Sequence, residues 1–307
     1  MVNPYGKSKM KMNYHPEVES ALKENKPIVA LESTLITHGF PSPKNLLVAK
    51  EIEDAVRQEG AVPATIAILD GQITVGLNEE ELSRLATSDA RKCSARDLPL
   101  VIAQKGNGGT TVAATMVIAR QAGIPVFATG GIGGVHRGSN FDISADLMEL
   151  GRTPITVVCA GMKAFLDLPA GLEVLETQAV SVVGYQTDAF PAFYSRESGL
   201  PVDLRVDTPP QVANIIRARD ALQLSNAILL TVPVPKAKEW PAAQAHPVIE
   251  QALGEAEEKG MPGKEITPFI LAKIAELSGG QSMGANIALL LNNARVAAQV
   301  AIALIEG

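Results

Sequence analysis

The sequence predicts an α/β fold: a single α/β/α layered domain built around a central mixed sheet. Three observations carry that expectation. Short apolar runs of strand length alternate with helix-length segments through most of the chain. Ala, Val, Ile and Gly are plentiful while aromatics make up only 4%, which suits β-branched strands covered by Ala-rich helices. Neither an internal repeat nor a break in composition divides the 307 residues. Residues 15–307 therefore read as one domain, preceded by a mobile leader over residues 1–14 that has lysines but no apolar signal core.

The elements follow in order. Ile28-Val29-Ala30-Leu31 is a strand that ends on Glu32. Ser42-Pro43 supplies an N-cap and a first helical residue for a helix running to about Glu59 and stopping at Gly60. Ala64 to Leu69 is a second strand, returned as a hairpin through Gly71 to Gly76. Asn78 opens a helix with an acidic first turn. Leu98 to Ala103 reads as a buried strand, and Gly106 to Thr111 as a loop before a helix over Val112 to Ala122. Strands are expected at Ile124 to Ala128, Ile155 to Ala160, Val180 to Gly184 and Ala227 to Val232, with a helix around Pro210 to Leu222. The proline-rich stretch from Pro233 to Pro247 is expected as a surface loop or lid. Thr267-Pro268 opens a further helix that Gly279-Gly280 ends. Ile287 to Ile305 is apolar but broken by Asn292, Asn293, Arg295 and Gln299, so it is expected as a buried or interface helix and not a membrane span.

Composition excludes several function classes. A hydrophobic content of 46% is that of a folded globule, and a formal charge of −6 argues against a general nucleic-acid or anionic-membrane surface. Cys93 and Cys159 have no metal-type spacing and point to a reduced, cytoplasmic setting.

Chemistry concentrates between Ile124 and Lys163. The strand there runs into Thr129-Gly130-Gly131-Ile132-Gly133-Gly134, where backbone N–H groups could converge on an anion. The register of a dinucleotide fingerprint fails, since its third glycine would fall on His136. Tight turns without a ligand are the plain alternative, but His136 and Arg137 beside the loop favour phosphate. Asp142, Ser144 and Asp146 can aim at one point, either as helix caps or as a site for a sugar hydroxyl or a hard cation, Mg²⁺ or Mn²⁺. Lys163, at the end of an apolar strand, is either a snorkelling amine or a desolvated nucleophile in an α/β crevice. Glu32 is likewise a cap or ion-pair partner, or a partly buried general acid. Lys92, Thr110-Thr111 and Asn286 fit the same crevice.

Several of these stretches, in this order, closely resemble the pseudouridine-5′-phosphate glycosidases. They are Ala30-Leu31-Glu32-Ser33-Thr34, Arg96-Asp97-Leu98-Pro99, Asn107 to Ala113, Phe127 to Gly138, Phe141 to Asp146 and Val158 to Lys163. Gly184-Tyr185-Gln186-Thr187, Gly263-Lys264-Glu265 and Asn292-Asn293-Ala294 extend the likeness from about Tyr14 to the C-terminus. The resemblance implies reversible cleavage of the C–C glycosidic bond of pseudouridine 5′-phosphate to uracil and ribose 5-phosphate, in pseudouridine catabolism. It also implies an α/β/α fold, a homotrimer and a Mn²⁺ requirement, for which another divalent ion could stand in. By the same likeness Lys163 is the covalent nucleophile, forming an imine with ring-opened ribose, and Glu32 is the proton donor. Asp142 is the metal ligand, and Lys92, Val112, Ser144, Ala145 and Asp146 bind substrate, with Thr111, His136 and Asn286 as pocket neighbours. Thr129, Gly130, Gly131, Gly133 and Gly134 are the phosphate loop of the residue-level reading. One departure is visible: the usual Ala-Gly-Ala-Lys stands here as Ala160-Gly161-Met162-Lys163. Two other readings share part of this site, a Schiff-base aldolase or isomerase acting on a phosphosugar, and a phosphosugar-binding regulator without catalysis.

Overall fold

The computed structural model describes residues 11–138, 141–260 and 263–306, with the side chains of 263–265 left aside. The chain opens with β1 (Asn13–Tyr14) and α1 (Pro16–Lys23), whose Val18 and Ala21 face inward, and enters β2 (Ile28–Leu31). All four residues of β2 are buried, as a strand covered on both faces requires. A π-helical turn, Leu35–Gly39, leads to α2 (Lys44–Gln58). β3 (Val62–Leu69) and β4 (Gln72–Val75) form the expected hairpin, turning through Asp70 and Gly71, both at positive φ. α3 (Glu79–Thr87) starts with a capping box in which Asn78 and Glu81 satisfy each other's backbone N–H.

Beyond it come β5 (Arg91–Cys93), α4 (Leu98–Ala103), β6 (Gly108–Thr110), α5 (Val112–Ala122), β7 (Val126–Ala128) and β8 (Val135–His136). α6 (Ala145–Leu150), β9 (Thr156–Cys159), β10 (Leu166–Asp167), α7 (Leu168–Thr177), β11 (Ser181–Tyr185) and β12 (Leu204–Val206) follow. The chain ends with α8 (Pro209–Ala221), β13 (Ile228–Thr231), α9 (Ala242–Glu258), α10 (Gly263–Leu277) and α11 (Gln281–Glu306).

Among the described residues one mixed sheet runs in the order β1-β4-β3-β2-β7-β9-β13-β11-β12, with β6 on β3 and β5 on β6. From β3 through β2, β7, β9, β13 and β11 to β12 every pairing is parallel, whereas β4 and β6 run antiparallel to β3. Helices cover the faces, so the central strands are largely apolar and Phe127 on β7 is completely buried. α11 is long and apolar enough to cross a membrane, but it lies on the sheet against β2, β7 and β9, flanked by α2 and α8. Asn293, Ala294, Ala297 and Val300 are buried there, the buried-helix expectation for this stretch.

Five sequence expectations need correction. Leu98 to Ala103 is helix α4, not a strand. Asp97 accepts the Ser94 N–H at 3.1 Å, and Pro99 sits in the first turn, where no N–H is needed. Leu98 and Val101 are buried while Leu100 is 50% exposed, a spacing of three and not of two. An unbroken apolar run carries no period, and the cap before it was the missed signal. Next, the supposed loop before Thr111 contains β6, whose glycines permit close approach: a Cβ on Gly108 would lie 2.5 Å from Cys93 Sγ.

The proline-rich stretch is not a free lid either. Trp240 is 2% exposed, its N–H donates to Tyr194 at 3.0 Å and its carbonyl accepts from Ser195 Oγ at 2.8 Å. α9 starts just after Pro241 and contains Pro247. Similarly, α10 is under way before Thr267-Pro268 and holds Pro268 within it, although Gly279 and Gly280 do follow its end at positive φ. At the N-terminus, Asn13 and Tyr14 are not leader but sheet edge, paired with Thr74 and Val75, and residues 1–10 lie outside the described residues.

The helical reading of α4 makes a sharp prediction for denaturant unfolding. Leu100→Ser should change stability by less than about 0.5 kcal/mol, and Val101→Ala should cost about 2 kcal/mol. A strand would keep Leu98, Leu100 and Ile102 on one face, and a large loss at Leu100 would restore it.

Candidate active site

The site begins with register. β2 pairs in parallel with β7, Leu31 opposite Ala128, so Glu32 and Thr129 leave the sheet side by side. Thr129 Oγ1 donates a short hydrogen bond to Glu32 Oε1. Behind Glu32, Ser33 is buried, its Oγ donating to the Ile66 carbonyl at 2.6 Å and accepting from Thr110 N at 2.9 Å. Thr110 Oγ1 donates to the same carbonyl at 2.7 Å and accepts from Thr115 Oγ1 at 2.9 Å. This hydroxyl network ties the ends of β2 and β6 to the middle of β3, beside Glu32 and the start of α5.

Glu32 borders a cavity, but its carboxyl lies deep in the protein, and burial pushes its pKa above the ordinary glutamate value. Lys163, the Thr129 hydroxyl and Lys92 oppose that rise, while the nearby Asp146 charge adds to it. The group is therefore held toward its protonated form. His136 and His38 shift the opposite way, below the usual imidazole value, chiefly through burial, with Lys163 and Lys92 adding to the effect at His136 and Lys92 at His38. Asp142 and Asp89 partly offset this at His136 and His38 respectively.

Lys163 follows β9 by a short turn in which Lys163 N donates to Ile132 O at 3.2 Å and Ile132 N donates to Gly161 O at 3.1 Å. Gly161 has a φ of +82°, and a Cβ there would sit 2.2 Å from Pro191 O, so only glycine fits. Met162, in place of the usual alanine, is fully buried, and a Cβ on Gly134 or Gly171 would come within 2.9 or 2.3 Å of its Sδ. The departure in sequence is thus absorbed by glycines opposite it.

The glycine loop is only partly the expected cradle. The Gly133 N–H goes to Asp146 Oδ2 at 2.9 Å, and Asp146 Oδ1 accepts from Ala113 N at 3.0 Å. Asp146 is 6% exposed and acts as a clamp between this loop and the first turn of α5. Ser144 caps α6, accepting from Asp146 N at 3.2 Å, as its capping alternative required.

A cavity of about 720 Å³ collects most of the sequence-derived residues. Glu32, Lys92, Thr111 and Val112 line one side, and Gly130, Gly131, Gly133 and His136 another. Asp142, Ser144, Ala145, Asp146, Lys163 and Asn286 complete the set. Thr129 and Gly134 stand behind the wall, one holding Glu32 and the other packed on Met162. Sequence reasoning missed His38, Phe193 and the α10 residues Thr267, Pro268 and Leu271, which also line the cavity. Only His38 left a signal, as one of four histidines and six residues beyond Glu32. Thr111, which lines the cavity, has an Oγ1 that is buried without a hydrogen-bond partner.

No cluster of three His, Cys, Asp or Glu side chains suited to a metal occurs among the described residues. Asp142 lines the cavity, and its charge acts on the nearby His136. That donor set fits a hard divalent ion that keeps most of its coordination in water and substrate oxygens, and does not fit zinc.

A deep carboxyl and an amine at the C-terminal ends of a parallel sheet, around one cavity, define an α/β enzyme acting on a small molecule. The chain belongs to the Indigoidine synthase A like protein family, whose model matches residues 17–303. It is 56% identical over 294 residues to the protein of Paracoccus denitrificans named pseudouridine-5′-phosphate glycosidase, covering 94% of this chain and 97% of that one. Its fold matches the prealnumycin C-glycosynthase AlnA, solved in complex with ribulose 5-phosphate, with a TM-score of 0.89, 40% identity and coverage of 97% and 98%. An indigoidine synthase A-like protein of Thermotoga maritima matches with a TM-score of 0.89 and 34% identity, covering 96% of this chain and 97% of that one.

The shift at Glu32 has a consequence for stability. A carboxyl whose folded pKa is raised stabilises the fold below its unfolded pKa, and that contribution is lost as pH rises through the folded pKa. Glu32→Gln should therefore melt higher than the unaltered protein at pH 8, with the gap closing near pH 4. Calorimetry at the two pH values reads this directly, and an equal gap at both would show that Glu32 is not displaced.

Proposed function

We propose that this enzyme cleaves the C–C glycosidic bond of pseudouridine 5′-phosphate reversibly, giving uracil and ribose 5-phosphate, and serves pseudouridine catabolism in the cytoplasm. The observation that carries the reading is the convergence of Lys163 and a Glu32 carboxyl held toward its protonated form on one cavity, in a chain whose relatives bear that activity's name. The ribulose 5-phosphate bound by AlnA supports a sugar-phosphate pocket, and the buried cysteines Cys93 and Cys159 suit a reducing compartment.

The bond between ribose C1′ and uracil C5 has no heteroatom leaving group, so simple protonation of a leaving atom does not suffice. In the proposed sequence Lys163 Nζ bonds to C1′ as the C1′–O4′ bond breaks, and O4′ takes the Glu32 proton. The Glu32 carboxylate then accepts the proton that the new ammonium nitrogen sheds. Next, the nitrogen lone pair forms an imine as the C1′–C5 bond breaks, and the departing pair at C5 takes that proton from Glu32. Water adds to the imine, returning a proton to Glu32 and, on collapse, the free amine to Lys163. One carboxyl moving between charge states serves every transfer, which suits a raised pKa.

Lys92, His136, Ser144, the N-terminus of α5 at Thr111 and Val112, and the exposed part of the glycine loop would hold phosphate and sugar, with Asn286 toward the base. Mn²⁺, or another hard divalent ion, would be held by Asp142 and would supply positive charge beside the phosphate or sugar oxygens. The assembly is proposed as a homotrimer. Phe141, Ile143 and Met148, exposed at 94%, 41% and 49%, offer apolar surface for contact between copies.

The test is uracil release from pseudouridine 5′-phosphate with Mn²⁺ supplied. Prompt release with ribose 5-phosphate is expected, and borohydride should trap sugar on Lys163. Lys163→Ala should lose about 10³-fold or more in kcat; near-normal turnover would remove the covalent step. Cleavage needs Glu32 protonated, so activity should fall as pH rises through a pKa above the ordinary glutamate range. A rate that climbs through that window would reverse its role.

A further inference from the structure

Asn293 is completely buried on α11, far along the chain from the site, and does not line the cavity. Its Nδ2 donates to Thr129 O at 2.8 Å and to Gly130 O at 3.3 Å. Both partners are acceptors, so the amide can face them only with its NH₂ group. Its Oδ1, equally buried, has no partner. An asparagine kept inside a protein with its acceptor unused is retained for its donor, because an apolar residue of the same size would avoid that loss.

What the donor holds is the residue beside Glu32. Thr129 N donates to Val158 O at 3.0 Å, and Ala160 N donates to Gly130 O at 2.9 Å, fixing this segment to β9. Asn293 grips the same two residues from the helical layer. Leu290, on the same face of α11, packs on Gly130 so closely that a Cβ there would be 3.2 Å away. Held in this way, Thr129 has its hydroxyl on Glu32 Oε1. The charged groups acting on Glu32 are Lys163 beyond β9, Asp146 on α6 and Lys92 on β5, none of them on α11. Asn293 therefore reaches Glu32 through geometry and not through charge.

We propose that Asn293 is a positioning residue for the Glu32 carboxyl: its amide sets the Thr129–Gly130 backbone, and thereby the hydroxyl that stabilises the ionised form of Glu32. The structural link stands by itself, and its catalytic consequence rests on the proposed function.

Carbon-13 NMR of labelled glutamate follows the titration in the resting protein, with Glu32→Gln assigning the signal. Thr129→Val removes the donor and should move the Glu32 midpoint to higher pH. Asn293→Leu, which adds no charge, should move it in the same direction, and the double variant should match Thr129→Val alone. Thr129→Ser, which keeps a hydroxyl, should restore the midpoint. In uracil release, Asn293→Leu should lower kcat about 10-fold with KM changed less than about 2-fold. An unmoved Glu32 titration in folded Asn293→Leu, or shifts that add in the double variant, overturns the proposal. Asn293→Ser serves as the second variant, and loss of fold in both assigns Asn293 a purely structural role. If the titrations shift as expected but the unaltered protein releases no uracil, the reaction is wrong and the link stands.

Discussion

Parallel pairing of three neighbouring strands decides where chemistry can occur in this chain. β2, β7 and β9 all point the same way, and their helical cover closes both faces, so a small molecule can be met at the strand ends and not along them. Glu32, Thr129 and Lys163 each lie at or just beyond one of those ends. No long-range coincidence is needed to bring an acid, a hydroxyl and an amine together. The first turn of α5, the glycine loop and α11 supply part of the remaining wall, and α10 closes over it with Thr267, Pro268 and Leu271.

That arrangement sets a conflict between stability and reactivity. A carboxyl placed so deep would be more comfortable as an amide, and the surrounding groups moderate its burial without abolishing it. Asp146 shows the opposite solution a few residues away. It is as secluded, yet two backbone N–H groups satisfy it, so it serves as a brace. Two acids in one pocket thus differ in what their environments allow them to do.

Much of the architecture was legible from local pattern. The strands at Ile28 to Leu31 and Ile155 to Ala160, the hairpin at Gly71 and the Asn78 cap each carry a signal within a few residues. Leu98 to Ala103 defeated the pattern because an unbroken apolar run fits strand or helix equally, and its cap lies outside the run. The prolines between Pro233 and Pro247 suggested a loose loop, but Trp240 and Val234 bury themselves through partners around residue 195, which no local window shows. At the site, residue types pointed to Glu32, Lys163 and Asp142, and the structure brings all three to one cavity. What sequence could not show was which glycines face a ligand and which yield to a neighbour. Gly133 and Gly134 are spent on close packing and backbone clamping, a distinction that exists only once the chain is folded.

Met162 fills a space beside the nucleophile that its smaller counterpart would leave open, and it does so against the bare backbones of Gly134 and Gly171. The three positions have become mutually conditional. While methionine stands there, any side chain at 134 or 171 collides with its sulfur. An alanine in its place would free the space at 171, whereas a Cβ at 134 would still come within 3.3 Å of Leu166 Cδ1. A side chain at 134 or 171 therefore needs the end of Met162 either to swing aside or to be shortened.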